Sequence, residues 1–383
     1  SSCPGTATVR VGQVSSQVVV GRDPALSPTP LELVASGHIG GRTVQIVHGG
    51  AVECHTYDIA PLADGQVRVH TVLSAISPGT EMTFYGAAPS NIYLDRHWDD
   101  ELRLFVDGSP SMQYPITFGY RASGAVVETR DDAVPVGHRV FGNWRHTEYT
   151  TMPGAQALEQ TLPSELMWSD GTDLGQMGPI CVNGVAFAEG EHRGSPAGVF
   201  GAGPVGLITA QIARVDGATK VYVVDRIPSR LAQAEDLGLE PIEAAPGVDV
   251  AAMLKRRYGS EGIPVAFEAT GSSSALHEAI RVVRRAGLVV ALGFYQGDAA
   301  GLRLGEEFHH NGVRIVCGQI GNVHPAWSLG TLRARTRDLT MAGELVLGGL
   351  SRLVVPVEEV AEGFAALSRP AEVLQVALDY SGQ

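Results

Sequence analysis

The chain has 383 residues, 44% hydrophobic and 18% charged, with a formal net charge of −13. That length exceeds one ordinary core and points to two domains, while the acidic balance argues against nucleic acid or an anionic membrane surface as a partner. No stretch has the ~18 uninterrupted apolar residues of a membrane span, and the opening SSCPGTATVR lacks the apolar core of a signal peptide, so the expectation is a cytoplasmic protein.

Residues 1–42, with the proline-rich break DPALSPTP, read as an N-terminal extension. From Thr43, runs such as TVQIVHGG, CHTYDIAP and QVRVHTVLSAI carry β-branched residues between Gly, Pro and Asp, which is strand-and-turn texture. It continues to about residue 150, and a β-rich first domain is expected over 43–180, closing on a loop and a helix. From Gly198 the pattern alternates: AGVF, GPVGLITAQIARVDG, KVYVVD, SRLAQAEDLG, PVAFEAT, SALHEAIRVVRRAG, LVVALGF, VRIVCGQI. The short strands are apolar throughout, as strands covered on both faces are. The first helix carries a stripe at Val205, Ile208, Ile212 and Val215. The fold expected over 181–325 is α/β, a doubly wound parallel sheet. The tail, 326–383, reads AGELVLGGL as helix, then a short strand, then a helix starting near Glu358, and is expected to return to the first domain. The four cysteines, Cys3, Cys54, Cys181 and Cys317, include no Cys-x-x-Cys pair and read as reduced thiols.

Gly201-Ala202-Gly203-Pro204-Val205-Gly206 fits Gly-x-Gly-x-x-Gly between an expected strand and an expected helix. Gly201 permits the tight turn, Gly203 a close approach to a pyrophosphate, and Gly206 the packing of helix on strand. The helix N-terminus offers N–H groups to the phosphates. Asp225 lies 19 residues beyond Gly206, where an acid binds ribose hydroxyls and repels a 2′-phosphate. NAD is therefore favoured over NADP, although Arg226 and Arg230 stand close enough to neutralise the acid or greet a phosphate. FAD and S-adenosylmethionine binders share the same turn.

With these features in order, the chain resembles the medium-chain dehydrogenase/reductase superfamily, the alcohol dehydrogenase-like proteins. SAISPGTE (74–81) stands where that family has a cysteine loop, PITFGYRASGAVVE (115–128) where it writes Pro-x-x-x-Gly-His-Glu, VGHRVFG (136–142) at its Gly-Asp-Arg-Val turn, and GPICVNGVAFA (178–188) at the helix before the nucleotide fold. The resemblance implies a GroES-like β domain plus a Rossmann domain. The Ser-Pro-Gly-Thr-Glu wording is similar to zinc-free members such as bacteriochlorophyllide hydroxyethyl dehydrogenases. By the same resemblance Tyr120 replaces a histidine zinc ligand, Arg121 a glutamate, Ser77 a cysteine ligand, and the third ligand falls near Gly178. The cysteines of a structural zinc lobe are absent too. The expectation is no zinc, with Cys181 and nearby histidines as the one way to rebuild a site.

Without a metal a side chain must handle the proton. Tyr120 is the first candidate, with Arg121 beside it to lower the phenol's pKa; the alternative is that Tyr120 fills the vacated space and Arg121 pairs with an acid such as Glu81. Ser77, Thr80 and Glu81 complete the expected catalytic set. Asn183 is expected in the same cleft, orienting nicotinamide ribose or substrate. Thr270 and Gly271 resemble the loop passing the adenine-side ribose and nicotinamide, and Gly293 and Phe294 approach the nicotinamide amide. The pair His309–His310 reads as solvated or packed. The resemblance also implies a homodimer through the edge strand VRIVCGQI. Three readings stand: a zinc-independent NAD-dependent dehydrogenase for a secondary hydroxyl of a polar small molecule, a zinc-free enoyl or quinone reductase, or a nucleotide binder without activity.

Overall fold

Two sheets of six strands organise the molecule, whose computed structural model describes residues 40–86, 91–259, 262–350 and 352–381. The extension expected at 1–42 lies outside these residues except for Gly40, Gly41 and Arg42, which begin the strand Gly40–His48.

The first large sheet runs in the order Leu353–Pro356, Val376–Asp379, Gln66–Ile76, Ala122–Thr129 and Arg139–Gly142, with Tyr149–Pro153 also pairing onto Gln66–Ile76. Val376–Asp379 lies antiparallel to Gln66–Ile76, so the chain's last strands are built into its first domain. A three-stranded sheet, Ala51–Asp58, Gly40–His48 and Ile116–Thr117, packs a second core of Val44, Ile46, Phe84, Val360 and Phe364 against it.

The second large sheet is parallel throughout, in the order Glu240–Glu243, Lys220–Asp225, Pro196–Phe200, Ile263–Glu268, Val283–Ala291 and Arg314–Cys317. In domain order this is 3-2-1-4-5-6, the doubly wound arrangement, with its switch point between Pro196–Phe200 and Ile263–Glu268. Both of those strands are buried along nearly all their length, which is why they read as unbroken apolar runs. The helix Pro204–Val215 is buried from Gly206 through Ala213, a wider face than the expected stripe, because it is sandwiched between the sheet and the helix Met177–Ala186.

The tail differs from its sequence reading. The helix is Leu329–Met341, and Gly343, at φ +71°, turns the chain out of it, so 343–350 are turns rather than helix. The final helix is Val360–Leu367, entered through a 3-10 turn at Val357–Glu359.

Arg121 ties these pieces together. Its side chain is fully buried, and it forms an ion pair with Asp173, which is also fully buried. It donates as well to Ile76 O at 3.1 Å and Gln375 Oε1 at 2.6 Å. Arg121 therefore pairs with Asp173, not with Glu81. Its partners are not those of Tyr120, whose hydroxyl goes to Ser77. Breaking a buried pair by removing one partner strands the other charge. Asp173→Ala is expected to lower unfolding stability by about 3–5 kcal/mol in urea titration; a loss within the ordinary surface range would show that Arg121 finds another partner.

Candidate active site

The carboxyl ends of Pro196–Phe200 and Ile263–Glu268 open onto two joined cavities of about 530 and 480 Å³ that share Gly201, Asp225, Arg230 and Thr270. The first runs outward past Arg226, Ser272 and His277. The second runs inward to Ser77, Thr80, Tyr120, Gly293, Phe294 and Gln319. Together they make one cleft across the switch point, where open α/β sheets bind their ligands.

The glycine turn is built for close backbone approach. Gly201 sits at φ +102°, and a Cβ there would lie 2.8 Å from Thr270 Cγ2. A Cβ on Gly206 would meet Gly201 O at 1.7 Å, so this glycine is required by the fold. Gly203 is different: a Cβ there would meet only Arg230 Nη1, at 3.9 Å. Gly203, Pro204 and Val205 all line the inner cavity.

Asp225 closes the turn. Its Oδ2 accepts from Ala202 N at 2.6 Å, and its Oδ1 from the backbone N–H groups of Arg226 and Ile227 at 2.7 and 2.9 Å. The carboxylate is thereby oriented, with lone pairs to spare for a hydroxyl in the cleft. The side chain of Arg226 is at the outer rim and Arg230 is within. Burial lowers the Arg230 pKa, the charge of Asp225 opposing the shift, and its Nε has no partner among the described residues. An orphaned guanidinium N–H, an open cradle at Gly203 and an oriented carboxylate fit a dinucleotide.

A buried carboxylate sets the far wall. Glu268 accepts from the Thr270 backbone N–H at 2.7 Å and the Gly271 N–H at 3.2 Å, and also from the Thr270 and Tyr295 hydroxyls. Burial raises its pKa. A Cβ on Gly293 would lie 2.2 Å from Gly271 N, so the two loops meet through bare backbone.

At the inner end, Tyr120 and Ser77 stand together. The Tyr120 hydroxyl donates to Ser77 Oγ at 2.6 Å, and Thr80 N donates to the same oxygen at 3.2 Å. With both acceptor positions used, the Ser77 proton is free to donate into the cleft. The phenol's pKa is raised, first by burial and then by the charge of Glu81. The expected lowering by Arg121 is a minor opposing effect, since that guanidinium is committed to Asp173.

Two expected cleft residues lie elsewhere. Glu81 is fully buried behind the loop, its Oε1 accepting from Ser77 N at 3.0 Å and its Oε2 2.7 Å from His146 Nε2. His146 in turn shares a hydrogen bond with Ser74 Oγ at 2.7 Å. Glu81 therefore holds Ser77 in place and does not face the cleft. Asn183 is also fully buried. Its amide donates to Gly318 O and Asn322 O and accepts from His324 N, fixing the loop after the edge strand. It touches neither end of the cleft, because its side of the helix faces that loop.

Sequence reasoning missed His146, Asp173, Glu268, Gln296 and Gln319. Gln319 Nε2 donates to Gly293 O at 2.9 Å. Gln296 lines the inner cavity; its Oε1 accepts from Ile92 N at 3.0 Å, while its Nε2 has no partner. His309 and His310 are exposed on a short helix, His309–Asn311, outside the cleft.

The donors at the inner end are hydroxyls and amides. Gly178 offers no ligand, and a Cβ there would strike Thr336 Cγ2 at 2.2 Å, so the position is taken by a helix crossing. Cys181 is buried, its thiol donating to Val205 O and its pKa pushed up to about 12 by burial, the reverse of a metal thiolate. Among the described residues the one metal-capable cluster is His277, Glu306 and Glu307, none of which lines the inner cavity. This donor set does not fit a tetrahedral zinc.

The fold pairs a GroES-like β domain with a Rossmann domain, and the cleft lies across the Rossmann switch point. The sequence signature of the family "Zinc-binding dehydrogenase" matches residues 204–328. The (R,R)-butanediol dehydrogenase of Bacillus subtilis is 28% identical over 297 residues, 68% of this chain and 80% of that protein. The crystal structure of 2R,3R-butanediol dehydrogenase from the same organism aligns over 88% of this chain and 99% of its own, with TM-score 0.70 at 21% identity. D-guloside 3-dehydrogenase of Shigella flexneri is 26% identical over 311 residues, 76% of this chain and 85% of that protein. A short chain alcohol dehydrogenase of Escherichia coli CFT073, complexed with NADH, aligns over 89% of this chain and 99% of its own, with TM-score 0.68 at 17% identity. The chain is thus similar in sequence to alcohol dehydrogenase-like proteins and shares the fold of the two solved structures.

The two glycines separate binding from folding. Gly203→Ala is expected to keep the wild-type Tm while weakening NADH binding about tenfold or more, read by fluorescence titration. Gly206→Ala is expected to lower both. Unchanged NADH affinity in Gly203→Ala would remove the turn from the cofactor site.

Proposed function

We propose that this protein is a zinc-independent NAD-dependent oxidoreductase that transfers hydride between nicotinamide and a secondary alcohol or ketone of a polar small molecule, such as a sugar, cyclitol or specialised metabolite. The observation that carries it is the hydroxyl pair Tyr120–Ser77, hydrogen-bonded at 2.6 Å in a cleft continuous with the glycine turn. The named relatives act on butanediol and a guloside, which agrees with a polyol-like substrate. NAD is preferred over NADP because Asp225 faces the cleft, while Arg230 balances the phosphates.

The bound cofactor supplies hydride to the substrate carbon. The chain's own residues manage the oxygen. Ser77 gives its proton to the oxygen as negative charge develops there, and Tyr120 gives its own proton to Ser77. A phenol with a raised pKa stays protonated at neutral pH, so the pair is set for carbonyl reduction. In the oxidative direction the same relay runs backwards and requires the phenolate. Thr80 fixes Ser77 through its backbone N–H, and Gln296 Nε2 is a donor left for a substrate hydroxyl. Arg121 and Glu81 act one layer back, holding Tyr120 and Ser77. The assembly that suits this reading is a homodimer extending the parallel sheet across the edge strand Arg314–Cys317, whose outer side has no partner strand among the described residues.

Tyr120→Phe is expected to lower kcat for ketone reduction by about 10²-fold or more with a smaller effect on KM. Because the Tyr120 pKa is raised, the reduction rate should not fall through phenol ionisation as pH climbs to the ordinary phenol value of about 10. Near-normal turnover in Tyr120→Phe would overturn the reading.

A further inference from the structure

The outer end of the cleft carries a histidine that nothing above uses. His277 sits on the helix Ser273–Val282, is 2% exposed, and lines the outer cavity. Neither of its ring nitrogens has a hydrogen-bond partner among the described residues. A buried imidazole without a hydrogen bond on either nitrogen has given up its water with only the longer-range attraction of Glu306 in return. Such a group points to a ligand.

Two carboxylates face it. Glu306 and Glu307 come from the segment Leu304–Phe308, where Glu306 breaks the helical geometry at φ −94°, ψ −125°. Consecutive helical residues diverge by about 100°, and this kink is what brings two neighbouring side chains to one point. One ligand atom from each of His277, Glu306 and Glu307 lies within 4.8 Å of the others. His277 Nε2 is 3.6 Å from Glu306 Oε2, too long for a hydrogen bond and close enough to share an ion.

The remaining oxygens show how the carboxylates are held. Glu306 Oε1 accepts from Arg303 Nε at 2.7 Å, which leaves Oε2 toward the histidine. Glu307 Oε1 lies 3.5 Å from Arg281 Nε, and its Oε2 is buried without a partner. Each glutamate thus has one oxygen oriented by an arginine and one open, the arrangement by which outer partners aim metal ligands. The nearby cations, Arg281, Arg303 and Lys255, are offset by Glu278 and Asp249, both paired to Arg281. The open atoms are one imidazole nitrogen and two carboxylate oxygens, a borderline donor set that suits zinc and its first-row neighbours and not calcium. Zinc bonds of about 2.0–2.2 Å need ligand atoms about 3.4 Å apart, and the two partly exposed glutamates have the rotamer freedom to close that gap.

We propose that His277, Glu306 and Glu307 form a binding site for a divalent transition-metal ion of the zinc class, open to water at its remaining positions. The ion ties the segment Leu304–Phe308 to the helix Ser273–Val282 and so shapes the outer wall of the cleft. It is separate from the inner cavity, and the proposal does not rest on the dehydrogenase reading.

The full chain, stripped with chelator and free of nucleotide, is titrated with ZnCl₂ by calorimetry and by Co²⁺ absorbance. Wild type is expected to bind one equivalent that Glu307→Gln and His277→Gln each lose, while Ser77→Ala retains it. Glu307→Gln alters a partly exposed side chain and keeps the fold, so its result stands if His277→Gln is unstable. The same stoichiometry in wild type and Glu307→Gln, or no zinc bound by wild type, overturns the proposal. Because no substrate or cofactor is present, failure here leaves the redox reading untouched.

Discussion

One buried arginine joins stretches of chain that are far apart in sequence. Arg121, at the start of Ala122–Thr129, reaches Asp173 in the helix Trp168–Leu174 and Gln375 just before the last strand. Arg352, which precedes the strand Leu353–Pro356, lies 3.7 Å from the other Asp173 oxygen and donates to Ser169 O and Leu347 O. Two guanidinium groups around one carboxylate would repel if left bare. Backbone carbonyls and the Gln375 amide oxygen take up several of the other N–H groups, which lowers the cost of burying the charge. The network fixes the returning strands to the first domain. It also anchors the backbone next to Tyr120, which directly precedes Arg121.

The same division recurs around the cleft. Charged groups lie one layer behind the surface and are occupied with backbone: Glu81 with Ser77 N and His146, Glu268 with the Thr270 and Gly271 N–H groups, Asp225 with the glycine turn. Away from Asp225 and Arg230 at the junction of the two cavities, the polar side chains that reach the inner cavity are neutral, among them Ser77, Thr80, Tyr120, Gln296 and Gln319. Buried carboxylates make the loops rigid because each charge-assisted bond is short and costly to break.

Much of this was legible in the sequence, for reasons that are local. The constraints on Gly201 and Gly206 follow from the backbone of one turn, and the strand-helix alternation follows from periodicity, so the doubly wound sheet and the place of the glycine turn could be read directly. Tyr120, Ser77 and Thr80 came from the resemblance, through the positions of its metal ligands and pocket loop, and the structure places all three on the inner cavity. The errors concern partners. Arg121 and Asp173 are 52 residues apart, Glu81 and His146 are 65, Asn183 and His324 are 141. No spacing rule connects such pairs; only the assembled sheets bring them together. His146 had no signal of its own, sitting in the polar turn NWRHTEYT. The segment 343–350 misled through its leucines, which are buried by neighbouring helices and not by a helix of their own.

Gly178 shows how one missing side chain propagates. With no Cβ, it lets the helix Leu329–Met341 approach until Thr336 fills the space a side chain would occupy. That contact seats the helix Met177–Ala186, whose Met177 and Ile180 line the inner cavity beside Tyr120. A histidine at position 120 would therefore meet no opposing ligand at 178, and a larger residue at 178 would have to displace a buried helix before it could reach the cleft. The glycine, the threonine and the phenol form one packing solution. The lack of a side chain at position 178 is thus fixed by helix packing, independently of the hydroxyls at the inner end.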